Sequence, residues 1–215
     1  MQWTVVVPLK ALARAKSRLS DTAADGLRPA LALAFAQDTV AAALDCAAVR
    51  DVAVVTGDPL AGRELAALGA RVVADEPADG LNAALAHAAG VVRAARPGAA
   101  VAALNADLPA LRAVELARVL DTAAEFPRAF LPDAAGIGTT LLAAAPGREL
   151  LPAFGMDSRV RHRASGAVEI ALEAVDSVRQ DVDTGDDLRA ALALGVGPRT
   201  AAAAARLLIP GQPAG

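Results

Sequence analysis

The chain has 215 residues, 55% of them hydrophobic and 21% charged, with a formal net charge of -3. That composition excludes a disordered chain and fits one sizeable domain with a full core. The slight acidity and an aromatic fraction of 2% argue against a nucleic-acid partner, and the longest uncharged run, residues 134–147, is too short for a membrane-spanning helix.

Taken in order, residues 3–7 (Trp-Thr-Val-Val-Val) read as a first buried strand. The chain enters it directly, without the basic, apolar and cleavage segments of a leader. Its single cysteine, Cys46, has no internal disulfide partner and reads as a small buried hydrophobe. Both features suit the cytoplasm. Residues 8–20 form a loop carrying Lys10, Arg14, Lys16 and Arg18. A helix over 27–47 follows, with Asp21 or Asp25 as candidate caps. The pattern then predicts a strand at 52–56, a helix at 60–68 ended by Gly69, and a short strand at 71–74. After an acidic turn at 75–79 come a helix at 81–96, a strand at 100–104 and a helix at 113–125. Residues 128–131 and 138–144 read as strands, and 146–165 as irregular with room for a short helix. Strands at 168–171 and 178–182 and helices at 186–194 and 200–208 complete the pattern. Strands alternating with helices predict βαβ units, a mostly parallel sheet covered on both faces, and a single domain over 1–208 with a flexible tail at 209–215.

In such a sheet ligands sit outside the carboxyl ends of the strands. The run 101–104 ends there in Asn105-Ala106-Asp107-Leu108-Pro109. Asp107 reads either as a Mg²⁺ ligand beside a nucleotide phosphate or as a cap for the helix near Arg112. A second acidic run, Asp181-Val182-Asp183-Thr184-Gly185-Asp186-Asp187, offers the same pair of readings. On a strand, Asp181 and Asp183 point the same way and invite a cation, whereas Asp183 or Thr184 could also cap the following helix. The basic loop lacks the P-loop glycines, and no dinucleotide fingerprint is present. Lys10, Lys16 and Arg18 would therefore have to hold phosphates by charge, or else form a solvated surface. A neutral, glycine-containing region, Gly136-Ile137-Gly138-Thr139-Thr140 with Phe154-Gly155-Met156-Asp157-Ser158, offers hydroxyl and N–H donors to an anion and is followed by Arg159, Arg161, His162 and Arg163. Its alternative reading is two ordinary turns beside a basic surface. His87 reads as packed or surface, and no Ser-His-Asp or zinc-ligand arrangement stands out.

These stretches carry a resemblance. Val7-Pro8-Leu9-Lys10, Ala15-Lys16-Ser17-Arg18-Leu19, Gly80-Leu81-Asn82 and Ala106-Asp107-Leu108-Pro109-Ala110-Leu111 recur in order with Gly138-Thr139-Thr140 and Phe154-Gly155-Met156-Asp157-Ser158. Arg161-His162-Arg163, Ser165-Gly166-Ala167 and Asp181-Val182-Asp183-Thr184 complete the set over nearly the whole chain. Together they resemble the phosphoenolpyruvate and 2-phospho-L-lactate guanylyltransferases of coenzyme F-420 biosynthesis. Gly185 stands where that family usually has proline, and Thr139 where relatives often carry glycine. The resemblance implies a three-layer α/β/α, nucleotidyltransferase-like (Rossmann-like) single domain with a mostly parallel mixed sheet. It implies transfer of GMP from GTP to phosphoenolpyruvate or 2-phospho-L-lactate with release of pyrophosphate, the product passing to the next transferase of the pathway. It places the acceptor on Thr140, Gly155 and Ser158, Mg²⁺ on Asp107 and Asp181 with Asp183 close by, and the nucleotide on Lys10, Lys16, Arg18 and Asn82. Asp107, Asp181 and Lys16 would carry catalysis. Competing readings are another nucleotidyltransferase, such as a molybdopterin-type cytidylyltransferase, and a non-catalytic nucleotide-sensing module.

Overall fold

The computed structural model describes residues 1–12, 27–75 and 79–206. Lys16, Arg18, the candidate caps Asp21 and Asp25, and the tail at 209–215 lie outside the described residues. Seven strands form one sheet: β1 (Trp3–Pro8), β2 (Val49–Val55), β3 (Arg71–Val73), β4 (Ala100–Leu104), β5 (Arg128–Pro132), β6 (Thr139–Ala144) and β7 (Val168–Glu169). Their order is β3-β2-β1-β4-β6-β5-β7. Only β6 runs against its neighbours, pairing antiparallel with β4 and β5, while the other pairings are parallel. The expected mixed, mostly parallel sheet is what forms.

Among the described residues eight helices accompany it: α1 (Arg28–Leu44), α2 (Pro59–Ala67), α3 (Leu81–Ala95), α4 (Ala113–Ala123), α5 (Ser158–Ala164), α6 (Asp176–Arg179), α7 (Gly185–Leu194) and α8 (Pro198–Ala205). Every residue of β4, Ala-Val-Ala-Ala-Leu, is buried, as a strand covered on both faces requires. Its Ala102 and Leu104 join one apolar cluster with α1 and α4, and its Val101 and Ala103 join another with α3 and Phe154. Two covered faces make the three layers. A third cluster, Leu31, Phe35, Ala110, Val182, Leu188 and Ala191, joins α1 to α7.

The strand predicted at 178–182 does not form. Residues Asp176–Arg179 make one helical turn, α6, and 180–182 are irregular. A short apolar run does not by itself distinguish strand from helix. Here Arg179 decides it by donating to the carbonyls of Pro132, Ile170 and Leu172 at 3.0, 3.4 and 3.3 Å, which folds the segment across the sheet end. The strand predicted at 168–171 shortens to Val168–Glu169, and the irregular 146–165 stretch does contain a helix, α5.

Candidate active site

The parallel strands and the reversed β6 meet at one edge: the carboxyl end of β4 and the first residues of β6 lie side by side. Asn105, just past β4, donates its backbone N–H to the Thr140 carbonyl at 2.9 Å. The β5–β6 register jumps there, with Leu131 opposite Leu141 but Pro132 opposite Thr139. Thr140 is thus the extra residue of a β-bulge facing Pro132, which has no N–H to pair. Bulges next to sites re-aim side chains. Thr139 reaches α5, and Thr140 holds a buried hydroxyl with no hydrogen-bond partner among the described residues. A buried polar atom left in that state marks a place where a ligand oxygen could bond.

Asp107 is not the cap of α4. That helix has Arg112 at its N-cap with no side-chain cap, and the Arg112 N–H goes to Ser177 Oγ at 3.1 Å. Asp107 instead pairs through its backbone with the second acidic run: its carbonyl accepts from Val182 N–H at 3.0 Å. Val182 is fully buried in the cluster under α1 and α7, so it pins the segment between two aspartates. Asp181 lies next to β4 and accepts from the Asn105 carboxamide at 3.4 Å. The predicted alignment of Asp181 and Asp183 on one strand face fails because no strand forms. Asp183 is exposed, and its N–H bonds Asp187 Oδ2 at 3.1 Å. The cap of α7 is Thr184, in a reciprocal capping box with Asp187. Among the described residues, no three His, Cys, Asp or Glu side chains form a group that could hold a metal by themselves. Two carboxylates completed by substrate phosphates is nonetheless how Mg²⁺ is commonly held. The oxygen-only donor set of Asp107 and Asp181 fits that ion.

Gly155 and Ser158, expected with Thr140 on the acceptor side, belong to the loop that leads into α5. Gly155 has φ 113° and Asp157 φ 56°, and Ser158 N–H closes a turn onto the Gly155 carbonyl at 3.1 Å. Ser158 opens α5 and is buried, and Arg159 N–H bonds the Ile137 carbonyl at 3.2 Å. The loop before β6 and the loop before α5 therefore lie against each other. One turn into α5, His162 is fully buried. Its Nε2 accepts from Ala153 N–H at 2.9 Å, so Nδ1 carries the proton and faces Thr139 Oγ1 at 2.9 Å. Phe154 meets the ring edge-on with centroids 5.0 Å apart. Burial, helped by the positive charges of Arg128 and Arg161, pushes the imidazole pKa down to about 4. In the sequence His162 stands within the basic run 159–163 and the Arg161-His162-Arg163 motif, and neither shows its burial.

On the nucleotide side, Lys10 is exposed just past β1. Asp58 fixes the chain nearby: Oδ1 caps α2 through Leu60 and Ala61, and Oδ2 accepts from Leu12 N–H at 3.0 Å. Asn82 has its carboxamide turned to Phe154 in both directions. An open cleft of about 490 Å³ lined by Asp133, Arg159, Glu169, Asp176 and Arg179 lies to one side. Its Arg159 is held by Glu169 and its Arg179 by main-chain carbonyls.

The strand order and the reversed β6, with Asp107 just past the fourth strand, give the nucleotidyltransferase-like fold. A solved nucleotidyl transferase from Methanothermobacter superposes with a TM-score of 0.60 at 23% identity, over 89% of this chain and 97% of that one. Rv0371C of Mycobacterium tuberculosis H37Rv, solved in complex with manganese, gives 0.55 at 23% identity over 89% and 98%. More particularly, the chain matches the family described as guanylyl transferase CofC like over residues 3–206, and it belongs to that family. A phosphoenolpyruvate guanylyltransferase of Streptomyces avermitilis is 86% identical over 98% of both chains.

Proposed function

We propose that this guanylyltransferase moves GMP from GTP to phosphoenolpyruvate, releasing pyrophosphate and forming enolpyruvoyl-2-diphospho-5'-guanosine for coenzyme F-420 biosynthesis. The acceptor named for the Streptomyces avermitilis relative favours phosphoenolpyruvate over 2-phospho-L-lactate. The observation that carries the reading is a short chain of contacts. Thr140, with its buried unpartnered hydroxyl, bonds through its carbonyl to Asn105, and Asn105 bonds Asp181. Acceptor side and metal side are thus two residues apart.

The nucleophile is a phosphate oxygen of the acceptor, already ionised near neutral pH. It attacks the α-phosphorus of GTP, the bond from that phosphorus to the α–β bridging oxygen breaks, and pyrophosphate leaves with the electron pair. No proton moves, so no general base is required. The barrier is electrostatic, because an anion approaches an anion, and positioning with charge neutralisation lowers it. Asp107 and Asp181 would hold Mg²⁺, which when bound neutralises phosphate charge. Lys10, with Lys16 and Arg18, holds the triphosphate. Donors at Thr140, Gly155 and Ser158 fix the acceptor's phosphate and carboxylate. The manganese complex of Rv0371C supports divalent-metal use in this fold.

The test is pyrophosphate release from GTP and phosphoenolpyruvate by Asp107→Asn and Asp181→Asn. Each is expected to keep the fold and lose turnover by at least about a hundredfold. Near wild-type rates in both variants would remove these carboxylates from the reaction.

A further inference from the structure

We infer that Asn82 is a positioning residue of the acceptor site and does not bind the nucleotide. This rests on the acceptor reading of Gly155 and Ser158 above. Asn82 lies in the first turn of α3, after Gly80, which takes φ 96° at the helix entry. Its Nδ2 donates to the Phe154 carbonyl at 3.1 Å, and its Oδ1 accepts from Phe154 N–H at 2.8 Å. A carboxamide used this way replaces the neighbouring strand that Phe154 lacks, satisfying both backbone groups of one residue.

Phe154 directly precedes Gly155. Residues 155–157 are exposed; Gly155 takes its positive φ without cost, whereas the positive φ of Asp157 is one that the surroundings must impose. The residues that impose it sit at the loop's two ends. At the far end Ser158 is buried at the start of α5. At the near end Asn82 grips Phe154, Arg161 donates to the same carbonyl at 3.2 Å, and His162 holds Ala153 N–H. Phe154 itself packs in the cluster with Leu85 and Ala88 of α3. Asn82 is therefore the polar tie that fixes the acceptor loop to α3, which packs on the same face of the sheet as Phe154. Without it, Gly155 N–H and Ser158 Oγ lose their registration against Thr140.

Steady-state kinetics of the full-length enzyme separate the two roles. Asn82→Ala removes both bonds. Asn82→Asp keeps an acceptor for Phe154 N–H but sets an oxygen against the Phe154 carbonyl, and it serves should Asn82→Ala fail to fold. The expected result is a phosphoenolpyruvate KM raised at least about tenfold, with the GTP KM unchanged within about twofold. A purely structural lesion would lower the active fraction, and with it kcat, leaving both KM values alone. A raised GTP KM, equal changes in both KM values, or no change in either overturns the proposal. Ser158→Ala is run in parallel. If it also leaves the phosphoenolpyruvate KM unchanged, the acceptor-loop reading falls; if it raises that KM while the Asn82 variants do not, the reading stands and only the positioning role is lost.

Discussion

An imidazole with a hydrogen bond at each ring nitrogen and no exposed surface is confined to one tautomer. His162 is in that state, accepting at Nε2 from Ala153 and facing Thr139 Oγ1 through Nδ1. Protonation would turn the Nε2 acceptor into a donor aimed at another donor, within a pocket already carrying Arg128 and Arg161 charge. In the unfolded chain the ring titrates near 6.5, in the folded protein near 4. The unfolded state therefore binds the extra proton first as pH falls. His162's contribution is complete above about pH 6.5 and is lost progressively down to about pH 4, for a total of about 3 kcal/mol. Urea unfolding at pH 7.5 and 5 should show about 2 kcal/mol of that loss, and His162→Gln should be less stable at pH 7.5 yet lose less on acidification. An equal loss in both proteins would dissociate the effect from His162. None of this was legible in the sequence, where His162 stands among several arginines. Its significance comes from facing inward one turn after Ser158, and that depends on where α5 docks.

At the scale of elements, most of the sheet and the larger helices were legible because their apolar runs are long and bounded by Gly, Pro and Asp. What failed was 178–182, where a short apolar run is held as a helical turn by Arg179 reaching three carbonyls. Such distant partners leave no local pattern. The same holds for the β-bulge at Thr140 and for Arg128, whose buried guanidinium ties Leu150, Leu151 and Ser165 together. The docking of α8 is a fourth case. Asp38, buried on α1, accepts from Thr200 N–H at 2.7 Å and Arg199 N–H at 3.3 Å, capping a helix far from it in sequence. Gly197 makes room: a Cβ there would lie 2.3 Å from Asp38 Cγ. Gly197→Ala should lower stability by about 2 kcal/mol, seen as a lower urea midpoint at unchanged m-value. An unaltered midpoint would show that α8 docks by other means.

For the whole molecule, function follows from what one sheet edge collects. β4 delivers Asp107, the buried Val182 delivers Asp181 beside it, reversed β6 delivers Thr140, and α5 delivers Ser158. The residue types of this site could be read from the sequence, but their assembly could not. From the sequence Asp107 reads equally as a helix cap, but in the fold Arg112 is the N-cap of α4 and the Asp107 carbonyl pairs with Val182; the expected strand pair of Asp181 and Asp183 gives way to an exposed Asp183 beside a Thr184 cap. On the proposed reading, such a site would bring two anions together over a cation and join them through a new phosphoanhydride bond. The most direct test is mass spectrometry of the reaction of this enzyme with GTP, phosphoenolpyruvate and Mg²⁺, coupled to the next transferase of the pathway so that a labile product is trapped. The expected result is an adduct carrying the enolpyruvoyl group, with pyrophosphate released in equal amount. GTP left intact with phosphoenolpyruvate and with 2-phospho-L-lactate alike, or cleaved to GDP and phosphate without an adduct, would contradict it.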